Sequence, residues 1–204
     1  MNENKQSYYI ARPYLILIVG IPGAGKTFFA EKFAKTFNTP YLNLNALRRE
    51  IYDQPTFSKE ESDKLISLAN FLLPNMMLSG RAIIIEGSLD SRVERYEFHK
   101  IAKAHKYEVL TVWVQNIVNT SKMRATRHIK GSPRQHLISD VTFDTLRNRF
   151  TPPNIREKCV VISGNHTFPT QVKIVLKRIA RPQTEITPIE RIIDKSLLKR
   201  RLLQ

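Results

Sequence analysis

The chain has 204 residues, enough for one domain with a short appendage. Its single cysteine, Cys159, rules out an internal disulfide framework, and the five histidines add no zinc-ligand spacing to it. Lys and Arg number 33 against 18 Asp and Glu, a formal net charge of +15, an excess that either attracts polyanions or solvates a basic surface.

Residues 1–12 read as a polar N-terminal extension with no apolar core of signal-peptide length. The apolar runs near Leu15 and Ile83 fall well short of a bilayer span, so a soluble cytoplasmic protein is expected.

Leu15 to Val19 form an apolar, β-branched run suited to a buried parallel strand. It leads into GIPGAGKT, in which Gly20, Gly25, Lys26 and Thr27 satisfy the P-loop pattern. Phe28, Phe29, Phe33, Ala34 and Phe37 then recur at helical spacing. Strand, glycine-rich loop and helix are the order that lets backbone N–H groups curl around phosphates in front of a helix N-terminus. Gly20, Pro22, Gly23, Ala24, Gly25, Lys26, Thr27 and Phe28 are the candidate ATP-binding residues. Lys26 supplies charge to the β/γ-phosphates, and the Thr27 hydroxyl is a candidate Mg²⁺ ligand.

A second strand is expected at Tyr41 to Leu44, then a short helix from Asn45 to Glu50. Ser58 to Leu78 read as a longer helix. Ser58 and Glu61 form its capping box, Leu65, Leu68, Ala69, Leu72 and Leu73 its buried stripe, and Pro74 a kink or stop. Ala82 to Ile85 form a strand ending at Glu86. In an open α/β sheet that end borders the ligand crevice, so Glu86 is a candidate for Mg²⁺ or the acceptor, or else a solvated strand-end acid.

A helix over Ser91 to His105, a strand over Glu108 to Val114 and a basic helix over Ile117 to Lys130 follow, the last broken by Gly131-Ser132-Pro133. Ser139 to Phe150, Cys159 to Ser163 and Pro169 to Ile179 give helix, strand and helix. The alternation predicts a three-layer α/β P-loop fold with a five-stranded parallel sheet covered on both faces. The P-loop domain spans 13–180. Residues 181–204 suggest a basic helical tail, with Ile186, Ile189, Ile193 and Leu197 on one face, that either docks on the domain or binds RNA, a membrane or a partner.

Four pieces carry a family resemblance: GIPGAGKT, NLNALRREIYDQPTFSKEE, IIIEGSLDSRVER and RNRFTPPNIREKCVVISG. Over about residues 13–180 the sequence resembles the P-loop kinase group that includes polynucleotide 5′-hydroxyl kinases, zeta-toxin kinases and bacterial AAA-type ATP-binding proteins. The resemblance implies an ATP- and Mg²⁺-dependent kinase. In that group a D-x-x-R element supplies a proton-accepting Asp and an Arg that holds acceptor phosphate or the phosphoryl group. Here the element is Asn45-Ala-Leu-Arg48, so Arg48 is kept and the Asp is Asn45. An amide cannot accept that proton, and a positioned base supplies about 10²–10⁴-fold.

Three readings follow. Glu86, or next Asp53, takes over as base; Asn45 only orients the hydroxyl; or the protein binds ATP without phosphorylating an acceptor. The group's strand-end carboxylate matches Glu86, and its lid arginines match Arg124 and Arg127. A nucleic-acid 5′-hydroxyl is the acceptor favoured by the charge, with a zeta-toxin-like small metabolite as the alternative. An assembly-driving AAA+ machine fits poorly, because neither a second helical domain nor a strand end with paired acids is evident.

Overall fold

In the computed structural model, the described residues are 8, 9, 13–128, 136–154, 156–179, 181, 182, 192 and 193. The chain order begins with β1 (Tyr8–Tyr9), β2 (Tyr14–Val19), α1 (Lys26–Phe37), β3 (Tyr41–Asn43), α2 (Leu44–Ile51) and α3 (Lys59–Met77). It continues with β4 (Ile83–Glu86), α4 (Arg92–Ala104), β5 (Glu108–Gln115), α5 (Val118–Thr126), α6 (Asp140–Arg149), β6 (Cys159–Ser163) and α7 (Phe168–Ile179). Last come β7 (Arg181–Pro182) and β8 (Ile192–Ile193).

Five strands form a parallel sheet in the order β3-β4-β2-β5-β6. Side-chain alternation along β2 divides its apolar residues between two layers. Leu15, Leu17 and Val19 pack with Ile66, Ala69 and Leu73 of α3 and Phe98 of α4. Ile16 and Ile18 face Phe29 and Phe33 of α1 and Val172 and Val175 of α7. Each of these side chains removed from water contributes about 1.5–3 kcal/mol. Strands buried on both faces need continuous apolar runs, which is why Leu15–Val19 and Ile83–Ile85 carry no polar residue. The expected three-layer architecture is therefore the observed one.

Several local expectations change. Asn43, not a residue at the start of the expected 45–50 helix, caps α2: its Oδ1 accepts from the Ala46 N–H at 2.9 Å. Helix α3 runs through Pro74 to Met77, one residue short of the expected end at Leu78, so of the two effects expected of Pro74 it does not make the stop. Proline removes one intrahelical donor, but Leu73 and Met77 on either side of it are both buried, and that packing carries the helix on. Phe28 is half exposed on α1, while Phe29, Ala30 and Phe33 form the buried stripe.

Helix α5 ends at Thr126, four residues before its expected end; Lys130 and Gly131-Ser132-Pro133 lie outside the described residues. Most of the tail also lies outside them. Its two described pieces, β7 and β8, are extended rather than helical and pair antiparallel with β1. No helix among the described residues is long and apolar enough to cross a membrane.

A second buried contact ties α4 to the segment leading into β6. Arg95, buried on α4, donates from Nε and Nη2 to the two carboxylate oxygens of Glu157 at 2.6 and 3.0 Å. Its Nη1 donates to the Leu89 carbonyl at 3.1 Å. Glu157→Ala leaves that guanidinium without its counter-charge and is expected to cost about 3–5 kcal/mol. Urea denaturation of the two proteins measures it, and a loss under 1 kcal/mol would refute the structural role.

Candidate functional site

The site forms where the carboxyl ends of β2, β3 and β4 meet. In the parallel register Ile18 of β2 and Asn43 of β3 both stand opposite Glu86 of β4. The P-loop leaves the end of β2, so Glu86 must face it.

Residues 20–25 make the turn between β2 and α1. Gly25, in the left-handed region at φ 106°, caps α1 without any side-chain acceptor, so the first helical N–H groups point into the loop unclaimed by a cap. Gly23, at φ 74°, lies against α5: a Cβ there would collide with the Ser121 carbonyl. Ala24 is fully buried, and its carbonyl lies where a Cβ on Gly164 would fall. Gly164 follows β6 and donates its N–H to the Gln115 carbonyl at 2.7 Å. Thus α5 and the loop after β6 both close on the P-loop through main-chain contact.

Lys26 begins α1 and turns its ammonium back into the loop. Nζ donates to the carbonyls of Gly20 at 2.8 Å and Ile21 at 3.0 Å. Burial pushes its pKa down, opposed by the charges of Glu86 and Asp90. The residue as a whole is only half-buried, but its ammonium is enclosed. The next residue, Thr27, donates from Oγ1 to Glu86 Oε1 at 2.6 Å. The other carboxylate oxygen accepts from the Tyr41 hydroxyl at 2.5 Å, and Asn43 Nδ2 donates to that hydroxyl at 3.0 Å. Burial, together with the neighbouring Glu86 carboxylate, raises the Tyr41 pKa far above the ordinary phenol range.

A buried carboxylate and a hydroxyl in contact are hard oxygen donors. They suit Mg²⁺, which takes one or two protein ligands and completes its shell with phosphate oxygens and water. Among the described residues no group of three or more His, Cys, Asp or Glu could hold a metal unaided. Thr27 and Glu86 therefore fit an ion that arrives with its nucleotide.

Asn45 sits half-buried on α2, beside the loop after β4. A Cβ on Gly87, at φ 91°, would lie 2.8 Å from the Asn45 nitrogen and 2.9 Å from its Cγ. Arg48 does not stand free on the acceptor side. Its side chain is 1% exposed; Nη1 donates to Glu61 Oε2 at 2.6 Å, and Nη2 to Ser62 Oγ at 3.0 Å and Ser88 Oγ at 2.9 Å. Its guanidinium also lies over the Phe57 ring. Arg48, expected as the acceptor clamp, is here a buried tie between α2, α3 and the loop after β4.

Glu61 has its own departure. Ser58 Oγ accepts from the Glu61 N–H as a capping box requires, but the Glu61 carboxylate passes Ser58 and receives Thr56 N–H, Thr56 Oγ1, Phe57 N–H and Arg48. Burial would raise its pKa, but these four donors outweigh it and hold the group at about 2.

Of the two arginines expected to form a lid, Arg124 is tied by its side chain to the loop after β6 that packs on the P-loop. It donates to Gly164 O at 3.4 Å and Asn165 Oδ1 at 3.2 Å, next to the Ala24 contact. Arg127 is exposed, just beyond the end of α5. Asp53 is exposed after α2. Sequence reasoning missed Tyr41, Asn43 and Gly164. Asn43 carried a usable signal, an N-cap residue directly before an amphipathic helix; Tyr41 and Gly164 act through contacts distant in sequence.

The sequence matches the AAA domain family over residues 15–153. The chain belongs to that family. No curated protein matches it. As a member of the AAA domain family it also shares its fold with solved kinases. A gluconokinase from Sinorhizobium meliloti aligns with TM-score 0.59 at 14% identity, over 84% of this chain and 91% of that one. The APS kinase of Mycobacterium tuberculosis, in complex with AMPPNP and APS, aligns with TM-score 0.62 at 12% identity, over 82% and 97%. A sugar kinase from a Janibacter species aligns with TM-score 0.60 at 13% identity, over 81% and 93%. At such identities the likeness is one of fold, that of the P-loop kinases.

Two outcomes test this geometry. Gly23→Ala puts a methyl against the Ser121 carbonyl and is expected to weaken binding of an ATP analogue at least tenfold in a fluorescence titration; unchanged affinity would contradict the packed loop. Glu61 ionises at about 2 when folded against an ordinary 4.5. Its stabilisation is therefore complete above pH 4.5 and is lost as pH falls through about 2. The stability gap between wild type and Glu61→Gln, followed by denaturant titration, should be widest near neutrality and close in that acid window. A gap independent of pH would reject the assignment.

Proposed function

We propose that the chain is an ATP- and Mg²⁺-dependent phosphotransferase that moves the γ-phosphoryl group to the hydroxyl of a small polar acceptor. The observation that carries this reading is the convergence of Lys26, the uncapped start of α1 and the Thr27–Glu86 pair on one crevice.

The loop amides and Lys26 hold the phosphates, and Lys26 is free to exchange its two carbonyl acceptors for phosphate oxygens. Thr27 and Glu86 hold the metal, which when bound neutralises charge on the β- and γ-phosphates. Tyr41 fixes the second oxygen of Glu86, so that carboxylate is oriented toward Thr27 rather than toward an acceptor. Arg124, anchored on the loop after β6, is the lid cation in this reading, with Arg127 at the end of α5 as the alternative.

The burial of Arg48 supports a small acceptor over a nucleic-acid end. The cation that the resemblance assigns to acceptor phosphate is already neutralised by Glu61. A nucleic-acid 5′-hydroxyl is the second reading, and the net charge of +15 favours it.

The test is transfer from γ-labelled ATP, with Mg²⁺, to a panel of sugars, nucleosides, nucleotide sugars and 5′-hydroxyl RNA and DNA. Label on a small acceptor, reduced about 10²-fold or more in Lys26→Ala, is the expected result. Label on the oligonucleotides alone, with binding that weakens steeply as salt rises, would select the second reading. ATP bound with no acceptor labelled would reject both and leave an ATP-binding module.

A further inference from the structure

An acceptor hydroxyl must lose a proton as it is phosphorylated, and the residue expected to take that proton is an amide, Asn45. Two candidates for its replacement are unsuited by position. Glu86 has one oxygen committed to Thr27 and the other to Tyr41. Asp53 is exposed on the chain after α2.

A third carboxylate lies on the loop that runs past Asn45. Gly87 of that loop touches Asn45, and Asp90 follows three residues later. Asp90 is held firmly. Its carbonyl accepts from the Thr151 N–H at 2.7 Å and from Arg95 Nη1 at 3.4 Å. Its Oδ2 accepts from Arg149 Nη2 at 2.8 Å, and Arg149 is itself fixed by donation from Nη1 to the Phe57 carbonyl at 2.8 Å. A quarter of the Asp90 side chain stays exposed, and among the described residues only its Oδ2 is hydrogen-bonded. The loop that carries Asp90 lines the α2 side of the site: its Gly87 lies against Asn45 and its Ser88 hydroxyl accepts from Arg48.

Resting on the kinase reading above, we propose that Asp90, positioned by Arg149, is the proton acceptor of this enzyme in place of the residue at 45. The acceptor oxygen forms a bond to the γ-phosphorus, its proton passes to the Asp90 carboxylate, and the bond from the γ-phosphorus to the β,γ-bridging oxygen breaks with its electron pair leaving on ADP. Asn45 then serves as a neutral wall of the same pocket. The charged groups that face Asp90 are Lys26, Arg95 and Arg149, with Glu94 as the neighbouring anion.

The test uses the full chain, Mg²⁺, γ-labelled ATP and the best acceptor from the panel described above. Asp90→Asn is expected to lower the transfer rate by about 10²–10⁴-fold. It should leave the affinity for an ATP analogue within about threefold and the thermal midpoint near that of the wild type. The acid limb of the rate–pH profile should disappear with it. In Asp90→Asn/Asn45→Asp, a carboxylate returned on the α2 side of the pocket should recover at least tenfold of the loss, which a merely structural role for Asp90 does not predict. Transfer by Asp90→Asn within threefold of the wild type overturns the assignment while the kinase reading stands. So does a loss in which the acid limb survives. Absence of transfer from the wild type itself to any acceptor removes the kinase reading, and this proposal with it.

Discussion

The hydrogen bond between Thr27 and Glu86 joins the two halves of the site, and it exists because β2 and β4 are parallel neighbours in one register. Thr27 belongs to the helix after β2, and Glu86 is the last residue of β4. A slip of one residue in that pairing would turn Glu86 to the opposite face of the sheet. The register is fixed by buried side chains that cannot change faces without exposing apolar surface: Ile83 and Ile85 in one layer, Ile84 in the other. The chemistry of the crevice thus depends on packing that lies away from it.

The same logic operates on the acceptor side, where ions do the work of apolar contacts. Arg48, Glu61, Ser62 and Ser88 join α2, α3 and the loop after β4. A buried ion pair adds little net stability over a well-packed apolar substitute, but leaving one of its charges alone is costly. Here the pair fixes where the loop carrying Ser88 and Asp90 runs. Arg149 adds a second tether, from the end of α6 to Phe57 and Asp90. Phe57, at φ 57°, occupies the left-handed region that non-glycine residues rarely adopt, and its N–H and carbonyl are both spent on these tethers.

What the sequence made legible was local or periodic. The β2 run, the glycine pattern and the alternation of strands with helices were enough for the parallel sheet and for the P-loop beside Glu86. The Ser58 cap was readable for the same reason, since its partner is three residues away. Arg48 was not, because its role is set by Glu61 and Ser88, at separations of 13 and 40 residues, and a motif alignment carries no information on which arginines find a buried carboxylate. The turn of Glu61 toward Thr56 and Phe57 escaped in the same way. Pro74 does not end α3, because the missing N–H is outweighed by burial of Leu73 and Met77 on either side of it. Asp90 carries no motif at all; Arg149, 59 residues on, is what marks it.

The contacts at Gly20, Gly23 and Gly164 carry a consequence for how this chain tolerates change. At each of these positions the space of a missing side chain is filled by a carbonyl of another segment: Val114, Ser121 and Ala24 respectively. The cradle is thus shaped by main chain against main chain, and main-chain atoms are common to every residue type. A side chain that touches neither phosphate nor metal can therefore change without altering that outline, whereas any Cβ at these three glycines would meet backbone that has nowhere to move.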